Sequence, residues 1–279
     1  MIDTFLTLGK GSKIQHGKHN NRIYLMKFDA SDTDTIIGSL NGLANEYGYS
    51  KIFCKVPKWT APLFFANGFI LEAFIPLFFA NETDVFFVSK FFETQRALSC
   101  ETEDLKGFSK ILSAMPAARL NNNGNFEGLK VRKLVKSDIL QVTKIYSKVF
   151  KSYPFPVFKP EYIEKTMDEN VHYYGVLHKG IVVAISSAEI DFEGQNAEMT
   201  DFATLPAFRG KGLARLLLSS MESDMKELGI LTLYTIARLR SEAMNKTFMN
   251  LNYQYSGTLV NNTNIAGNIE SMNVYFKHI

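Results

Sequence analysis

A grip on an anion is written into residues 205–218, LPAFRGKGLARLLL. Arg209, Gly210, Lys211 and Gly212 stand at the mouth of a helix whose apolar residues Leu213, Leu216, Leu217, Met221, Met225 and Leu228 recur at helical spacing. The first N–H groups of a helix have no partner within it, and the helix dipole adds partial positive charge there. An anion placed at that end meets donors that are otherwise unpaired. Gly210, Gly212 and Ala214 keep bulky side chains out of its way. Two common phosphate loops are excluded. The Walker loop needs G-x-x-x-x-G-K-[ST], which the chain lacks, and the dinucleotide fingerprint needs a small residue where Arg215 stands. What remains is Arg209-x-x-Gly212-x-Ala214, set between a strand and a long helix.

Other reactive residue types give less. His16 and His19, in QHGKHNNR, read as a flexible loop with no third ligand nearby, so hydrogen-bonding or surface roles outrank metal binding. Cys54 and Cys100 are far apart and in no ligand spacing, as expected of reduced thiols in a cytoplasm. No metal is expected. A net charge of +3 is too small to argue for nucleic acid and supports only attraction to small anions. The opening MIDTFLTLGKGSK lacks the basic-then-apolar order of a signal peptide. Residues 63–80, LFFANGFILEAFIPLFFA, contain Asn67, Gly68, Glu72 and Pro76. A lipid-exposed helix tolerates these poorly, so the segment reads as a helix end, a glycine turn and a buried strand of a soluble protein.

The anion loop needs a scaffold, and the second half of the chain supplies one. A strand at 129–134 is followed by a helix capped at Ser137-Asp138, the irregular SYPFPVFKP, and a helix opening at Pro160. A hairpin turns at Lys179-Gly180, and AEMTDFATL is a third strand of that run. After the long helix come LTLYTIA, SEAMNKTFMNL, NYQYSGTLV and SMNVYFKHI, giving the order βααβββαβαββ. The first half repeats the end of this pattern: EYGYSKIFCKV parallels ELGILTLYTIA, and FFANGF parallels FMNLNY, displaced by about 181 to 184 residues. The expected division is a half-domain over 1–95, a helical linker over 96–125 and a whole domain over 126–279, with the boundary near Asn121–Asn125. The fold class is α/β (α+β), a mixed sheet flanked by helices.

The [RQ]-x-x-G-x-[GA] loop within that order resembles the GNAT acetyltransferases. The resemblance implies a GNAT-type sheet preceded by a GNAT-like half-domain that lacks the loop, since FDASDTDTII offers neither the arginine nor the glycine pair. It implies acetyl-CoA as co-substrate, with pyrophosphate on Arg209, Gly210, Lys211, Gly212, Leu213 and Ala214. The pantetheine arm would lie along the splayed strand at Phe202, Ala203 and Thr204, bonded by Asn245 of SEAMNKTF. The glutamate five residues before the cofactor-facing alanine is Glu198, which implies the base that deprotonates the acceptor amine; Asp201 is the rival, pointed to the opposite face by its odd spacing. The family's usual tyrosine acid is replaced by Phe248, and Tyr255 is the nearest substitute, with packing as its competing role.

GKGSKIQHGKHNNRIYLMK, KIFCKVP, SYPFPV, TDFATLPAFRGKGLA, YTIARLRSEAMN and NNTNIAGNIESMNVYFK together are similar to the β-lysine N6-acetyltransferase family. This implies acetylation of the ε-amine of β-lysine, a small-molecule acceptor, to N6-acetyl-β-lysine, a compatible solute used in osmoadaptation. A homodimer is the candidate assembly, with no membrane or nucleic-acid partner. Such an acceptor calls for a cation and a carboxylate in the protein. Arg238 and Arg240 are candidates for the substrate carboxylate, Glu270 for its ammonium, and Tyr153 and Phe155 for the roof of the site. Two other readings stay open: an acyl-CoA-binding sensor or scaffold without turnover, and an acetyltransferase for another amine or for protein lysines.

Overall fold

Among the residues described by the computed structural model, 3–114 and 126–279, the chain forms 13 strands and eight α-helices. The first half contains β1 (Thr4–Leu8), β2 (Ser12–Gly17), β3 (Arg22–Lys27), α1 (Ile36–Tyr47), β4 (Lys51–Pro57), α2 (Ala61–Ala66), β5 (Ile70–Phe79) and β6 (Thr83–Phe91). Two linking helices follow, α3 (Thr94–Ala97) and α4 (Thr102–Ala114). The second half contains β7 (Leu129–Lys133), α5 (Ile139–Val149), α6 (Pro160–Asp168), β8 (Val171–His178), β9 (Ile181–Asp191), β10 (Asn196–Thr204), α7 (Leu213–Glu227), β11 (Thr232–Arg238), α8 (Glu242–Asn250), β12 (Gln254–Ile265) and β13 (Asn268–His278). The expected boundary near Asn121–Asn125 lies outside the described residues.

Helix positions follow side-chain periodicity. In α1 the buried residues are Ile36, Leu40 and Ala44, spaced one turn apart, and Gly48 ends the helix in the left-handed conformation. In α7, Leu213, Leu217, Leu218, Met221 and Met225 face the core, while Leu228 at the C-cap is left exposed. Among the described residues no helix is long and apolar enough to cross a membrane.

All strands join one sheet in the order β1-β2-β3-β4-β6-β5-β12-β13-β11-β10-β9-β8-β7. The order β2-β3-β4-β6-β5 is repeated by β9-β10-β11-β13-β12, so two copies of one topology meet edge to edge at β5 and β12. Each copy has one parallel pair, β3 with β4 and β10 with β11. The first half is therefore larger than the expected αβαββ unit, because three strands precede its first helix. His16 lies on β2, its ring bonded to the Tyr49 hydroxyl at 3.0 Å, rather than in a flexible loop.

The seam is tight and polar. A side chain at Gly257 would run into the Glu72 carbonyl oxygen, so glycine allows the two edges to approach. Beside it Lys51 and Glu72 form a buried ion pair at 2.9 Å, and each also bonds the β12 backbone at Val260. Strand β5, expected as a buried strand, is buried on one face, with Ile70 and Phe74 exposed on the other.

Candidate active site

Leu205–Gly212 connects β10 to α7, and Gly210 and Gly212 both adopt φ of +75°, which favours glycine. A Cβ on Gly210 would meet nothing within 4 Å, and Gly212 caps α7 without a side-chain hydrogen bond. The first turn of α7 is thus open and its donors are uncapped. Arg209 is held by a bond from its Nε to the Thr204 carbonyl at 3.2 Å, and Lys211 lies over the Phe208 ring. These features fit a pyrophosphate.

The strand before the loop is built to part from its neighbour. β10 pairs with β11 only at Asn196, Ala197 and Glu198, while on its other side it follows β9 to Thr204. A bulge between Thr200 and Ala203, with Asp201 at φ +56°, bends it away. Ala203 and Thr204 therefore pair with β9 and leave their β11 edge free. An extended pantetheine arm requires such an edge.

At the mouth of this split lies a cavity of about 120 Å³. Strands of both copies line it: Arg22, Tyr24 and Met26 from β3, Phe53 and Lys55 from β4, Glu189 from β9, Glu198 and Thr200 from β10, and Tyr234 from β11. Their two-residue spacings put each set on one face of its strand. Tyr153, Pro154 and Phe155 close it from the loop after α5. That loop is pinned by the first copy, through Gln15 Nε2 on the Pro154 carbonyl at 3.0 Å and the Phe5–Phe155 stack at 6.0 Å.

Charge in the cavity is dense and poorly hydrated. Glu198 stands directly opposite Glu189 across β9 and β10. Burial raises the Glu198 pKa, while Lys55 and a bond from Tyr234 pull it back. Glu189 is pushed up to about 8 by burial, with the charges of Glu198 and Asp201 adding to the effect. Lys55 donates to the Tyr234 hydroxyl at 2.8 Å, and burial lowers its own pKa against the pull of Glu198. A Lys55–Tyr234–Glu198 chain results. Such a chain offsets part of the cost of a carboxylate's charge in a buried site and can pass a proton away from it.

The acetyltransferase (GNAT) family matches residues 139–246, which span the split, the loop and the first half of α8. A β-lysine N6-acetyltransferase from Methanococcus maripaludis is 42% identical over 269 residues, covering 95% of this chain and 96% of that protein. The chain belongs to the β-lysine N6-acetyltransferase family. Another protein of that name, from Methanosarcina mazei, is 31% identical over 87% of this chain and 96% of its own. The N-acetyltransferase YodP of Bacillus subtilis is 30% identical over the full length of both. The GNAT-type mixed α/β fold and an N-acetyltransferase activity follow from this membership.

Against the family pattern, the structure redistributes several expected residues. Glu198, Tyr153 and Phe155 all line the cavity. Asp201, the rival that odd spacing put on the face opposite Glu198, does not line it: turned away at the bulge, it accepts bonds from Tyr153 and from Ser187 at 2.7 Å. It anchors the roof tyrosine. Arg238 and Glu270 pair with each other at 2.8 and 2.7 Å, and neither lines the cavity. Arg240 pairs with Asp104 at 2.9 Å in a separate cleft between α4 and α8. Two opposite charges near strand ends found one another before any substrate.

Asn245 is also corrected. It is fully buried, its Nδ2 facing the carbonyls of Arg238, Leu239 and Ser241 and its Oδ1 accepting from Asn273 and Tyr275. No part of its amide is left for a pantetheine. Tyr255 bonds Thr258 at 2.6 Å and packs on Phe108, away from the cavity. Phe248 is buried between Phe202, Tyr253 and Tyr275. The residues missed were Arg22, Tyr24, Lys55, Glu189, Tyr234 and Asn262. All but Glu189 lie in phrases that carried the family resemblance, NNRIYLMK, KIFCKVP, YTIARLRSEAMN and NNTNIAGNIESMNVYFK, which was their one available signal.

Proposed function

We propose that the protein transfers an acetyl group from acetyl-CoA to the ε-amine of β-lysine, giving N6-acetyl-β-lysine. The observation that carries this reading is Glu198 lining the cavity at the point where β10 leaves β11. The names of the relatives supply the acceptor. Acetyl-CoA, when bound, provides the activated acyl group as a thioester; Gly210, Gly212 and the first turn of α7 would hold its pyrophosphate, and the free edge at Ala203–Thr204 its arm.

The chain's own task is to present a neutral nitrogen. A lysine-type ammonium has a pKa near ~10.4, so it is almost wholly protonated at neutral pH. Glu198 accepts that proton, Tyr234 and Lys55 offset the charge change, and Tyr153, Pro154 and Phe155 exclude water. Acetylation removes one positive charge and leaves a net-neutral zwitterion. Such a product accumulates without a counter-ion, as a compatible solute must, and we assign the activity to the cytoplasm on that ground.

The test is an acceptor panel of β-lysine, α-lysine and a lysine-rich peptide with acetyl-CoA, the product mapped by mass spectrometry and NMR. β-Lysine acetylated at its terminal nitrogen is expected to be the best substrate. A peptide or α-lysine preferred over it would refute the acceptor assignment, and no turnover with any amine would favour a sensor.

A further inference from the structure

The acceptor cavity is bipolar. Glu189 and Glu198 mark one part of its wall, and Arg22, from the copy without the anion loop, marks another. Arg22 is 3% exposed. Its Nη1 donates to the Asn262 carbonyl at 2.6 Å and to Thr263 Oγ1 at 3.1 Å, and its guanidinium lies over the Tyr24 and Phe53 rings. Among the described residues no carboxylate pairs with it, and its Nε has no partner. Burial lowers its pKa to about 10, so it remains a cation at neutral pH. A guanidinium removed from water with only neutral acceptors is electrostatically incomplete.

The neighbouring wall has the complementary defect. Asn262 is 1% exposed, lines the same cavity, and its Oδ1 accepts no hydrogen bond. Arg96 is another buried arginine with an unpartnered Nε, but it lines no part of this cavity. What separates Arg22 is the space in front of it.

We propose that Arg22 and Asn262 form a subsite for the amino-acid end of the acceptor. The guanidinium takes a carboxylate, Asn262 Oδ1 takes the adjacent ammonium, and the distal amine is left beside Glu198. The ligand class is a diamino acid with a terminal amine. This subsite rests on the reading that the acceptor amine meets Glu198, and it moves carboxylate recognition from the catalytic copy, where Arg238 and Arg240 are paired, to the other one.

Matched acceptors that differ only in the carboxylate test it: β-lysine with 1,4-diaminopentane, and α-lysine with 1,5-diaminopentane. In the full-length protein, Arg22→Gln should lower kcat/KM for either amino acid by roughly 10²-fold, the size expected when one partner of a buried charge pair is lost. The diamines should change by less than about threefold, so the acid-to-amine ratio collapses. Equal losses for acid and amine would show that Arg22 only holds the seam, and would overturn the proposal. If the variant does not fold, wild-type enzyme with β-lysine methyl ester asks the same question from the ligand side: a rate close to that of β-lysine overturns the subsite, and a loss of similar size to that expected for the variant supports it. The β- to α-lysine ratio reads acceptor identity separately.

Discussion

The two copies of the sheet have the same strand order and opposite endowments at one connection. In the second copy the link between the parallel strands, Leu205–Gly212, carries two left-handed glycines and an uncapped helix start. In the first, the link after β3 carries Asp29 and Asp32. The Asp32 carboxylate accepts the backbone N–H groups of Lys10, Gly11 and Ser12 and the Ser12 hydroxyl. That loop supplies its own anion and repels another. The first copy turns one face each of β3 and β4 toward the cavity and contributes Arg22, Tyr24 and Lys55. On the proposed reading the second copy holds the donor and supplies the base, and the first copy completes the acceptor pocket.

The largest effect should come from the second copy's carboxylate. Glu198→Gln removes proton acceptance with little change of volume, so kcat should fall by roughly 10²- to 10⁴-fold while acetyl-CoA affinity is kept. Part of the rate should return at high pH, where more of the amine is already neutral. A wild-type pH–rate profile would remove Glu198 from the chemistry.

Matched changes in the two connections should separate the copies next. Gly212→Asp costs about 1 kcal/mol of backbone strain and puts a negative charge at the mouth of α7, so calorimetry should show acetyl-CoA affinity reduced by roughly 10²-fold. Asp32→Ala should leave that affinity alone and lower Tm by about 5 °C through lost hydrogen bonds. Its backbone partners hold the Asp32 pKa down at about 2, from 3.8. A depressed carboxylate stabilises above its unfolded pKa, so the Tm gap between wild type and variant should shrink as pH falls from 3.8 toward about 2. A change in acetyl-CoA affinity in Asp32→Ala would break the division of roles.

The smallest effect crosses between the copies. Lys55 is the main attraction that lowers the Glu198 pKa against burial. Lys55→Met should therefore raise that pKa and move the acidic limb of kcat/KM to higher pH. A limb that stays in place or moves lower would uncouple the first copy from the base.

Much of the second copy was legible because its elements are periodic and its loop has a local signature. Helix α7, the Lys179-Gly180 hairpin and the closing strands fall close to where spacing and turn residues put them. Strands β1–β3 were hidden for a physical reason. Their buried positions include Ser12, Gln15 and Arg22, which pair with other polar groups or face the cavity, so no apolar alternation marks them. The acceptor site was hidden because it is assembled at long range: Lys55 meets Tyr234 across 179 positions of sequence. Only the packing of one copy against the other creates that pair. Arg238, Arg240 and Glu270 misled because charge alone does not say whether a partner is a ligand or a neighbour.

The division between a donor copy and an acceptor copy is tested most directly by initial-rate kinetics with both substrates varied, on Arg22→Gln and Gly212→Asp in parallel. The account predicts that Arg22→Gln raises KM for β-lysine and leaves KM for acetyl-CoA unchanged, while Gly212→Asp does the reverse. A first-copy variant that raised KM for acetyl-CoA, or one that left KM for β-lysine at its wild-type value, would contradict it.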